Sequence, residues 1–342
     1  MRSLVTIQKV TEVKAIPDAD FIELIVIRGW QCVSKKGEFQ PGDPCVYFEV
    51  DSYLPIDERY EFLRKTSHRV NEYMGEGFRV KTVRFRGEIS QGLALPVSAF
   101  PEIADPVVGM DVTDVLHVRK WELPEQVGSA GIAIGDKPFG IPTTDETRIQ
   151  SMPEFLEHFR GKPYYISTKM DGTSCTIYVK DGKVGVCGRN NEYKDDAATC
   201  SMWAYVYKHD LTEKLLALGE DIALQGEFCG AGIQKNRLKL YEPAWYVFDV
   251  VKIGDDDMLK KCGLDEILSY CEKLGVESVP IEETSDSFAY TLPELIERAR
   301  GKYASGLDKE GIVVRTRAYG RVGSEKLSFK VLNNDFLAKE KD

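Results

Sequence analysis

The sequence predicts an α+β protein in two parts, a small N-terminal β-barrel followed by a larger domain of antiparallel sheets with flanking helices. The chain has 342 residues, which is about twice the usual size of one domain. Its first third alternates short runs of β-branched and aromatic residues with turn residues, a pattern typical of small all-β domains. A Gly- and Pro-rich segment at 128–142 separates this region from a mixed pattern of helices and strands. We therefore expect this segment to be the linker.

The N-terminal region has about five strand-like runs and one helix-like run between them. The strand-like runs cover 4–16, 21–33, 45–50, 78–86 and 91–96, and the helix-like run covers 56–65. About five strands with an inserted helix fit a small closed barrel of the OB-fold type. The stretch 15–31 also resembles the opening of the OB-type domains that bind tRNA beside aminoacyl-tRNA synthetases. We therefore predict an OB-fold RNA-binding domain over 1–127.

The C-terminal region, 143–342, is predicted to form the second domain. Its helices are expected at 152–160, 198–209, 259–274 and 292–303. Its strands are expected at 164–170, 174–180, 222–228, 245–252, 311–316 and 325–331. This mixture indicates sheets covered by helices.

The net charge of −10 argues against a protein that holds nucleic acid by bulk charge alone. One stretch departs from this balance, because 64–86 has five more basic than acidic residues and includes Tyr73, Phe78 and Phe85. A solvated charged face is one interpretation of this stretch. A surface that contacts the phosphate backbone and stacks on bases is the other. Under the second interpretation, the RNA-binding residues are Arg79, Lys81, Arg84 and Arg86.

Cysteine, histidine and hydropathy patterns exclude several other classes of protein. The eight cysteines include no CxxC pair and the four histidines have no paired spacing, so neither a zinc site nor a histidine-based catalytic site is indicated. No run of about 18 apolar residues exists, and the N-terminus lacks the apolar block of a signal peptide. We therefore expect a cytoplasmic or nuclear protein with reduced thiols and no membrane partner.

The strongest chemical signal is the string STKMDGTSCTIYV at 167–179, in which Lys169 leads a Lys-x-Asp-Gly turn between two strand-like runs. Taken alone, this string also fits an ordinary hairpin turn with an exposed lysine. Five further strings follow in order: GRNNEYK (188–194), LQGEFCG (224–230), WYVFDVV (245–251), DKEGIVVR (308–315) and EKLSFKV (325–331). Together the six resemble the ordered motifs of the covalent nucleotidyltransferase superfamily, which comprises ATP-dependent DNA and RNA ligases and mRNA capping enzymes. The resemblance implies a C-terminal nucleotidyltransferase domain, the ATP-grasp-like ligase module.

Three strings narrow the resemblance to RNA ligases: TTDETRIQ (143–150), GRN (188–190) and FKVLNNDF (329–336). The order of barrel first and ligase module second resembles ATP-dependent RNA ligases that seal 3′-OH/5′-phosphate nicks and carry an N-terminal OB domain. The resemblance implies a monomeric repair enzyme acting on nicked duplex RNA, with RNA or DNA in each strand left open. Two alternatives remain at this stage: a capping-type guanylyltransferase that uses GTP, and a non-catalytic OB-domain RNA-binding adaptor.

The resemblance also implies a role for Lys169. Its nitrogen would attack the α-phosphorus of ATP, release pyrophosphate and carry AMP to the RNA. A free lysine is mostly protonated at neutral pH. Positive charge from a metal, or from Lys326 and Lys330, is therefore expected to depress the pKa of Lys169.

A divalent metal is expected because nucleotidyl transfer depends on neutralising the charge of phosphate oxygens. The resemblance assigns Mg²⁺ or Mn²⁺ to the carboxylates of Asp171, Glu227 and Glu310, with Mg²⁺ held through its hydration shell. Two alternatives stay open for Glu227: it binds the ribose hydroxyls of the nucleotide, or it is an ordinary solvated acid at a strand end. The second alternative also applies to Glu310.

Further nucleotide contacts are implied around these residues. Arg189 is expected to contact the nucleotide or the phosphate ends. Arg148 is expected to reach the nucleotide or an RNA phosphate, with a charge at a helix entry as the alternative. Phe248 is expected to stack on adenine, with an ordinary core phenylalanine as the alternative. Lys326 and Lys330 are four residues apart, so on one strand they would share a face and neutralise the α-phosphate and pyrophosphate. The expected ATP contacts are Arg148, Thr168, Lys169, Gly172, Arg189, Glu227, Phe248, Lys326 and Lys330.

Overall fold

The computed structural model of the protein describes residues 3–122, 131–254 and 258–339. The chain divides into two compact units, called here the N-terminal and the C-terminal unit. The N-terminal unit consists of Met1–Glu125, Gln150–Pro153 and Leu337–Asp342, and the C-terminal unit of Gln126–Ile149 and Glu154–Phe336. The domain boundary expected at 128–142 stays a prediction, and its residues 128–130 lie outside the described residues.

Short antiparallel strands build the N-terminal unit: β1 (Val5–Lys9), β2 (Glu12–Ala15), β3 (Ile22–Ile27), β4 (Trp30–Lys35), β5 (Pro44–Phe48), β6 (Ser52–Leu54), β7 (His68–Asn71), β8 (Gly75–Arg79), β9 (Val83–Phe85), β10 (Glu88–Ser90), β11 (Leu93–Pro96) and β12 (Arg119–Lys120). They pair in the orders β1-β5-β11, β2-β3-β4, β12-β6-β8-β7 and β10-β9. A 3-10 helix at Glu58–Leu63 leads into α1 (Arg64–Ser67), and a second 3-10 helix covers Val97–Ala99.

The sequence predicted fewer and longer strands in this unit. The runs 4–16, 21–33 and 78–86 each contain two strands. The break inside 21–33 is a tight turn at Arg28, whose φ is 54°, and the periodicity of apolar residues continues across it. The core that the strands enclose includes Trp30, Tyr47 and Phe48, each at most 1% exposed. The predicted architecture of a β-barrel with a helical insertion is confirmed, with the helix beginning as a 3-10 turn.

The remaining strands belong to the C-terminal unit: β13 (Ala133–Asp136), β14 (Tyr164–Lys169), β15 (Thr173–Lys180), β16 (Lys183–Cys187), β17 (Asn191–Tyr193), β18 (Ile222–Cys229), β19 (Ala244–Ile253), β20 (Leu259–Lys261), β21 (Glu277–Ser278), β22 (Ile281–Ser285), β23 (Gly311–Thr316), β24 (Arg321–Val322), β25 (Glu325–Lys326) and β26 (Ser328–Leu332). The helices after the barrel are α2 (Ser201–Lys208), α3 (Leu211–Ala217), α4 (Leu264–Leu274), α5 (Leu292–Arg298) and α6 (Asn334–Lys339), with 3-10 turns at Ile149–Ser151 and Pro153–His158.

Two main sheets organise the C-terminal unit. The larger has the order β13-β17-β16-β15-β18-β19-β20, with β21 pairing to β19, and the smaller has the order β22-β14-β23-β26. Neighbouring strands are antiparallel except for β19 and β21. Helices α2, α3 and α4 contribute Trp203, Leu211 and Leu274 to the apolar core below the larger sheet. The predicted class, antiparallel sheets with flanking helices, is confirmed.

Three local expectations in this unit are wrong. The predicted helix 152–160 is a 3-10 turn. The predicted helix 259–274 is strand β20 followed by α4. Gly263 has an extended backbone and is the N-cap of α4, so the helix begins only at Leu264. Lys326 and Lys330 do not share a strand. The chain bends at Leu327, whose N–H donates to the Gly320 carbonyl, so Lys326 ends β25 while Lys330 lies within β26. Among the described residues, no helix is long and apolar enough to cross a membrane.

Candidate active site

Lys169 is the last residue of β14, and strand pairing brings Glu310 to it. Lys169 lies opposite Gly311, the first residue of β23, so Glu310 is next to the lysine across the strand pair. The Lys169 Nζ lies 2.7 Å from the Glu310 Oε2. Gly311 is required here because a Cβ at this position would lie 2.2 Å from the Val331 carbonyl oxygen of β26. The sheet thus fixes the lysine and the glutamate as a pair.

A tyrosine hydroxyl ties the two strand ends together. The Tyr303 O–H donates to the Lys169 carbonyl oxygen at 2.7 Å and accepts a hydrogen bond from the Glu310 N–H at 3.0 Å. Tyr303 is buried beside Met170 and Cys229. One buried hydroxyl therefore sets the backbone positions on both sides of the Lys169–Glu310 pair.

A second anchor lies one residue before each partner of that pair. The carboxylate of Glu282, on β22, accepts a hydrogen bond from the Thr168 Oγ1 at 2.7 Å and from the Lys309 Nζ at 2.6 Å. Arg298 of α5 also donates to this carboxylate at 2.6 Å. These contacts lower the pKa of Glu282 despite its burial. The carboxylate therefore stays charged and links β14, β22 and the segment before β23.

Two further carboxylates surround the Lys169 side chain. The Gly172 N–H donates to the Glu227 Oε1 at 3.2 Å, and the Arg237 guanidinium lies 3.2 Å from the Asp171 Oδ2. Gly172 must be glycine, because a Cβ there would lie 2.4 Å from the Phe228 carbonyl oxygen. Burial and the charges of Glu310 and Asp171, opposed by the charge of Lys169, together raise the pKa of Glu227 to about 7. Lys169 therefore only partly offsets the cost of the Glu227 charge.

The expectation that neighbouring cations depress the pKa of Lys169 is not met in this structure. Burial lowers the pKa of Lys169, but the charges of Glu310, Glu227 and Asp171 outweigh burial and raise it. The lysine is therefore protonated and hydrogen-bonded to Glu310. Within residues 3–122, 131–254 and 258–339, no three His, Cys, Asp or Glu side chains converge closely enough to ligate one metal ion directly.

Lys330 and Arg148 lie side by side on the same sheet. The Lys330 N–H donates to the Thr147 carbonyl oxygen at 2.9 Å, and Arg148 pairs with Lys330 in a parallel bridge. Burial, together with the charges of Lys169 and Arg148, lowers the pKa of Lys330 to about 7. Lys330 therefore shares an electrostatic environment with Lys169.

Lys326 belongs to a neighbouring ionic network. Its Nζ lies 3.1 Å from the buried Glu146 carboxylate, which also pairs with the Arg315 guanidinium at 2.8 Å. Arg315 donates to the Phe248 carbonyl oxygen at 2.7 Å and its guanidinium lies 5.4 Å from the centre of the Phe248 ring. Phe248 is partly buried in the apolar cluster that contains Met170. An aromatic face thus lies beside the residue that follows the lysine.

Arg189 is the middle residue of the β16–β17 turn, 188–190, and pairs with Asp145 at 2.7 Å. Asp145 immediately precedes Glu146, and its carbonyl oxygen accepts a hydrogen bond from Lys326 at 2.9 Å. Arg189 is therefore connected to the Lys326 network through the segment 143–150.

The basic stretch of the N-terminal unit is structurally mixed. Arg79 pairs with Asp51 at 3.4 Å and its guanidinium lies 5.1 Å from the centre of the Trp121 ring, so it packs against its own barrel. Arg84 and Arg86 are exposed on the β9–β10 hairpin, with Phe85 between them 42% exposed. Lys81 is partly buried between β8 and β9.

Two family models match the chain. One is described as an OB-fold domain and matches residues 4–97, and the other is described as RNA ligase and matches residues 162–332. The chain belongs to the RNA ligase family. A sequence comparison with curated proteins gave no match.

Solved structures agree with this assignment along the full length of the ligase. A structure of Naegleria gruberi RNA ligase with pyrophosphate has a TM-score of 0.88 at 36% identity, with 100% of each chain covered. A lysine-to-methionine variant of that protein with AMP and Mn has a TM-score of 0.89 at 36% identity, again covering 100% of each chain. A lysine-to-alanine variant with ATP and Mn has a TM-score of 0.89 at 35% identity, covering 98% of this chain and 99% of the other.

The predicted OB-fold and RNA ligase assignments are thereby confirmed, whereas the individual site residues stay predictions. Sequence reasoning missed three anchors that the structure reveals: Tyr303, Glu282 and Arg237. None of these three lies in a motif that resembles the family. Glu146 and Arg315 do lie in such motifs, TTDETRIQ and DKEGIVVR, and their opposite charges were the available signal of an ion pair.

Proposed function

We propose that this RNA ligase uses ATP to seal 3′-OH/5′-phosphate nicks in duplex RNA, through a lysyl-AMP and an RNA-adenylate. The observation that carries the proposal is the Lys169–Glu310 pair at 2.7 Å, fixed at two strand ends and bordered by the partly buried side chains of Glu227 and Lys330. A lysine that is partly removed from water among carboxylates is expensive for a fold, and such charge clusters mark functional sites.

In the first step the Lys169 nitrogen attacks the α-phosphorus of ATP. A nitrogen–phosphorus bond forms, the bond from the α-phosphorus to the bridging oxygen breaks, and pyrophosphate leaves. Lys169 must first lose a proton, and Glu310 Oε2 is the acceptor already within hydrogen-bond distance. We propose that Lys330 and Arg148, which pair with each other in a parallel bridge, supply positive charge that balances the phosphate oxygens.

In the second step the nitrogen–phosphorus bond breaks as an oxygen of the RNA 5′-phosphate attacks the AMP phosphorus, and Lys169 regains a proton. In the third step the RNA 3′-OH attacks the activated 5′-phosphate and AMP leaves. Both steps depend on in-line positioning and on neutralised phosphate oxygens. Phe248, partly buried beside Met170, is the surface on which we propose that adenine stacks.

The carboxylates of Asp171, Glu227 and Glu310 fit a divalent cation by their charge. Burial and mutual repulsion raise the pKa of Glu227, so a cation nearby would relieve an electrostatic cost that the lysine alone does not remove. Because no three such side chains converge in the described residues, we propose that they hold Mg²⁺ or Mn²⁺ through water molecules. Bound metal would neutralise phosphate oxygens. The related Naegleria gruberi protein was solved with ATP and Mn, which supports this proposal.

We propose that RNA is gripped by the exposed arginines of the β9–β10 hairpin, Arg84 and Arg86, with Lys81 and Arg79 contributing less because they are partly buried. We also propose that the protein acts as a monomer. The eight cysteines are buried and free of disulfides, which fits the reducing cytoplasm or nucleus.

Incubation with labelled ATP or GTP tests the first step. We expect a covalent adduct with ATP only; an adduct with GTP would favour a capping-type guanylyltransferase, and the absence of any adduct would favour the non-catalytic adaptor. Sealing assays on nicked duplexes in which each strand is RNA or DNA in turn then test the substrate. Sealing of all-DNA nicks at the same rate as RNA nicks would contradict the proposed RNA specificity.

A further inference from the structure

The loop between β18 and β19 is long and has a composition unlike the rest of the chain. It covers residues 230–243, whereas β15 and β16 are joined by two residues, Asp181 and Gly182. Loops of more than about 12 residues inside a compact domain are uncommon and usually functional. This one carries Lys235, Arg237 and Lys239 against one acidic residue, Glu242, in a chain of net charge −10.

The loop is ordered by contacts of its own. The Asn236 side chain donates to the Leu240 carbonyl oxygen at 2.9 Å and accepts from the Leu240 N–H at 3.0 Å, which closes the loop upon itself. Ile233 is buried in the core, and Leu238 and Leu240 pack on the apolar cluster of Met170. The loop therefore has a fixed inner face.

Arg237 anchors the loop to the active site. Its guanidinium lies 3.2 Å from the Asp171 carboxylate and 4.0 Å from the centre of the Phe336 ring, and its carbonyl oxygen accepts a hydrogen bond from the Ser305 hydroxyl at 2.6 Å. Asp171 is two residues from Lys169. The loop position is thus set by the residues that surround the nucleophile.

The outer face of the loop presents two lysines and one aromatic ring to solvent. Lys235 and Lys239 are exposed, and Tyr241 is 98% exposed. An aromatic residue that exposed gains nothing for folding, whereas lysines beside an aromatic ring are the combination that binds nucleic-acid backbone and stacks on bases. Glu242, the acidic neighbour, is already paired with Lys208 at 2.6 Å.

We propose that the 230–243 loop is a second RNA-contact surface, at which Lys235 and Lys239 bind backbone phosphates beside the nick and Tyr241 stacks on a nucleotide. The inference rests on the proposed function, because it concerns the RNA that receives AMP. The 5′-phosphate end must reach Lys169 to accept AMP, and this loop borders the same site through Asp171.

The test compares the combined variant Lys235→Ser/Lys239→Ser/Tyr241→Ser with the parent and with a matched control. The control is Lys183→Ser/Lys260→Ser. These two lysines are exposed and lie on β16 and β20 of the same sheet, at the strand ends opposite to the 230–243 loop. Three measurements are made on each full-length protein: the rate of lysyl-AMP formation with labelled ATP, the Kd for a nicked RNA duplex as a function of KCl concentration, and sealing of that duplex.

We expect the loop variant to form lysyl-AMP at the parental rate but to bind nicked RNA about tenfold more weakly. The slope of log Kd against log salt should fall by about 1.5 to 2, because two phosphate contacts are lost. The control should match the parent.

If the loop variant bound RNA with the affinity and salt slope of the parent, the inference would be overturned while the proposed function stayed intact. A parent that forms lysyl-AMP but binds no nicked RNA would overturn the inference as well. Failure of the proposed function is a separate outcome, seen as a parent that binds RNA but neither forms lysyl-AMP nor seals.

Discussion

The Lys169 site and the β9–β10 hairpin are both rich in charge, but they differ in how that charge is held. At the Lys169 site the charged side chains are partly buried and interact with one another, and the pKa of Glu227 and of Lys330 is shifted to about 7 from opposite directions. On the hairpin, Arg84 and Arg86 extend into solvent. Charge that is partly removed from water costs folding free energy, which supports the proposal that the first site serves the ligation chemistry. Exposed charge costs little, and its function rests on the partner it attracts.

The largest effect expected from this comparison is at Lys169. Lys169→Ala should abolish the covalent adduct with labelled ATP, because no other residue heads the Lys-x-Asp-Gly turn. Lys169→Arg should fail equally, since a guanidinium does not lose its proton at working pH. The measurement is adduct formation, with circular dichroism showing that both variants are folded. An adduct persisting on another residue would contradict the assignment.

The next effect concerns the carboxylates. Glu227→Ala and Glu310→Ala should each lower the rate of lysyl-AMP formation by about 100-fold, and a chelator should do the same to the parent. Their Tm should stay within a few degrees of the parent, because each substitution removes a partly buried charge whose desolvation opposed folding. Activity that fell only in proportion to the folded fraction would indicate a structural role instead.

A smaller effect is expected where no charge is involved. Tyr303→Phe keeps the ring packed beside Met170 but removes the hydroxyl that joins the Lys169 carbonyl to the Glu310 amide. The rate at saturating ATP should fall by about tenfold, because small displacements of reacting groups are costly, while the KM for ATP stays near the parent's. The control is Tyr290→Phe, which removes a hydroxyl bonded to Glu283. Equal rates in both variants would show that Tyr303 only packs.

The pH dependence of stability tests whether removing the charge of Lys330 from water opposes folding. The folded pKa of Lys330 is lowered from 10.5 to about 7, so between about pH 7 and pH 10.5 the unfolded chain binds more protons than the folded one. The contribution of Lys330 to stability is therefore least favourable below pH 7 and improves as pH rises toward 10.5.

Lys330→Met should accordingly raise the Tm by a few degrees at pH 6.5 and by less at pH 9.5. Thermal unfolding at both pH values, with Lys183→Met as the exposed control, checks this sign. A gain in Tm that is the same at both pH values would mean that the charge of Lys330 is not what opposes folding.

These tests also separate what the sequence can predict from what it cannot. The strings around Lys169, Glu227 and Glu310 could be recognised from the sequence because together they resemble the ordered motifs of a known family. The position of Tyr303 could not be predicted from the sequence, because its hydroxyl contacts only backbone atoms of Lys169 and Glu310. A hydroxyl from any part of the chain could make the same two hydrogen bonds.

The prediction that Lys326 and Lys330 share one strand was wrong for a related reason. The bend at Leu327 depends on a hydrogen bond to Gly320 across the hairpin, which a pattern along one strand does not contain. The same limit explains why strand β20 was predicted as part of the helix 259–274. The conformation of Leu259–Lys261 is decided by pairing with β19, whose residues are six or more positions away in sequence.

The smallest expected effect lies in the N-terminal unit, where exposed and packed arginines are separated by only a few residues. Arg84→Gln/Arg86→Gln should leave the Tm unchanged, weaken binding of a nicked RNA duplex by a few fold and reduce its salt slope by about one to two. Arg79→Gln should do the reverse, lowering the Tm by a few degrees with a smaller change in RNA affinity, because Arg79 contacts Asp51 and Trp121 of its own barrel. Titration of labelled duplex at several KCl concentrations, beside thermal unfolding, measures both quantities. If the hairpin variant bound RNA with the parental affinity and salt slope, the hairpin would be a solvated face, and RNA contact would have to come from elsewhere in the ligase.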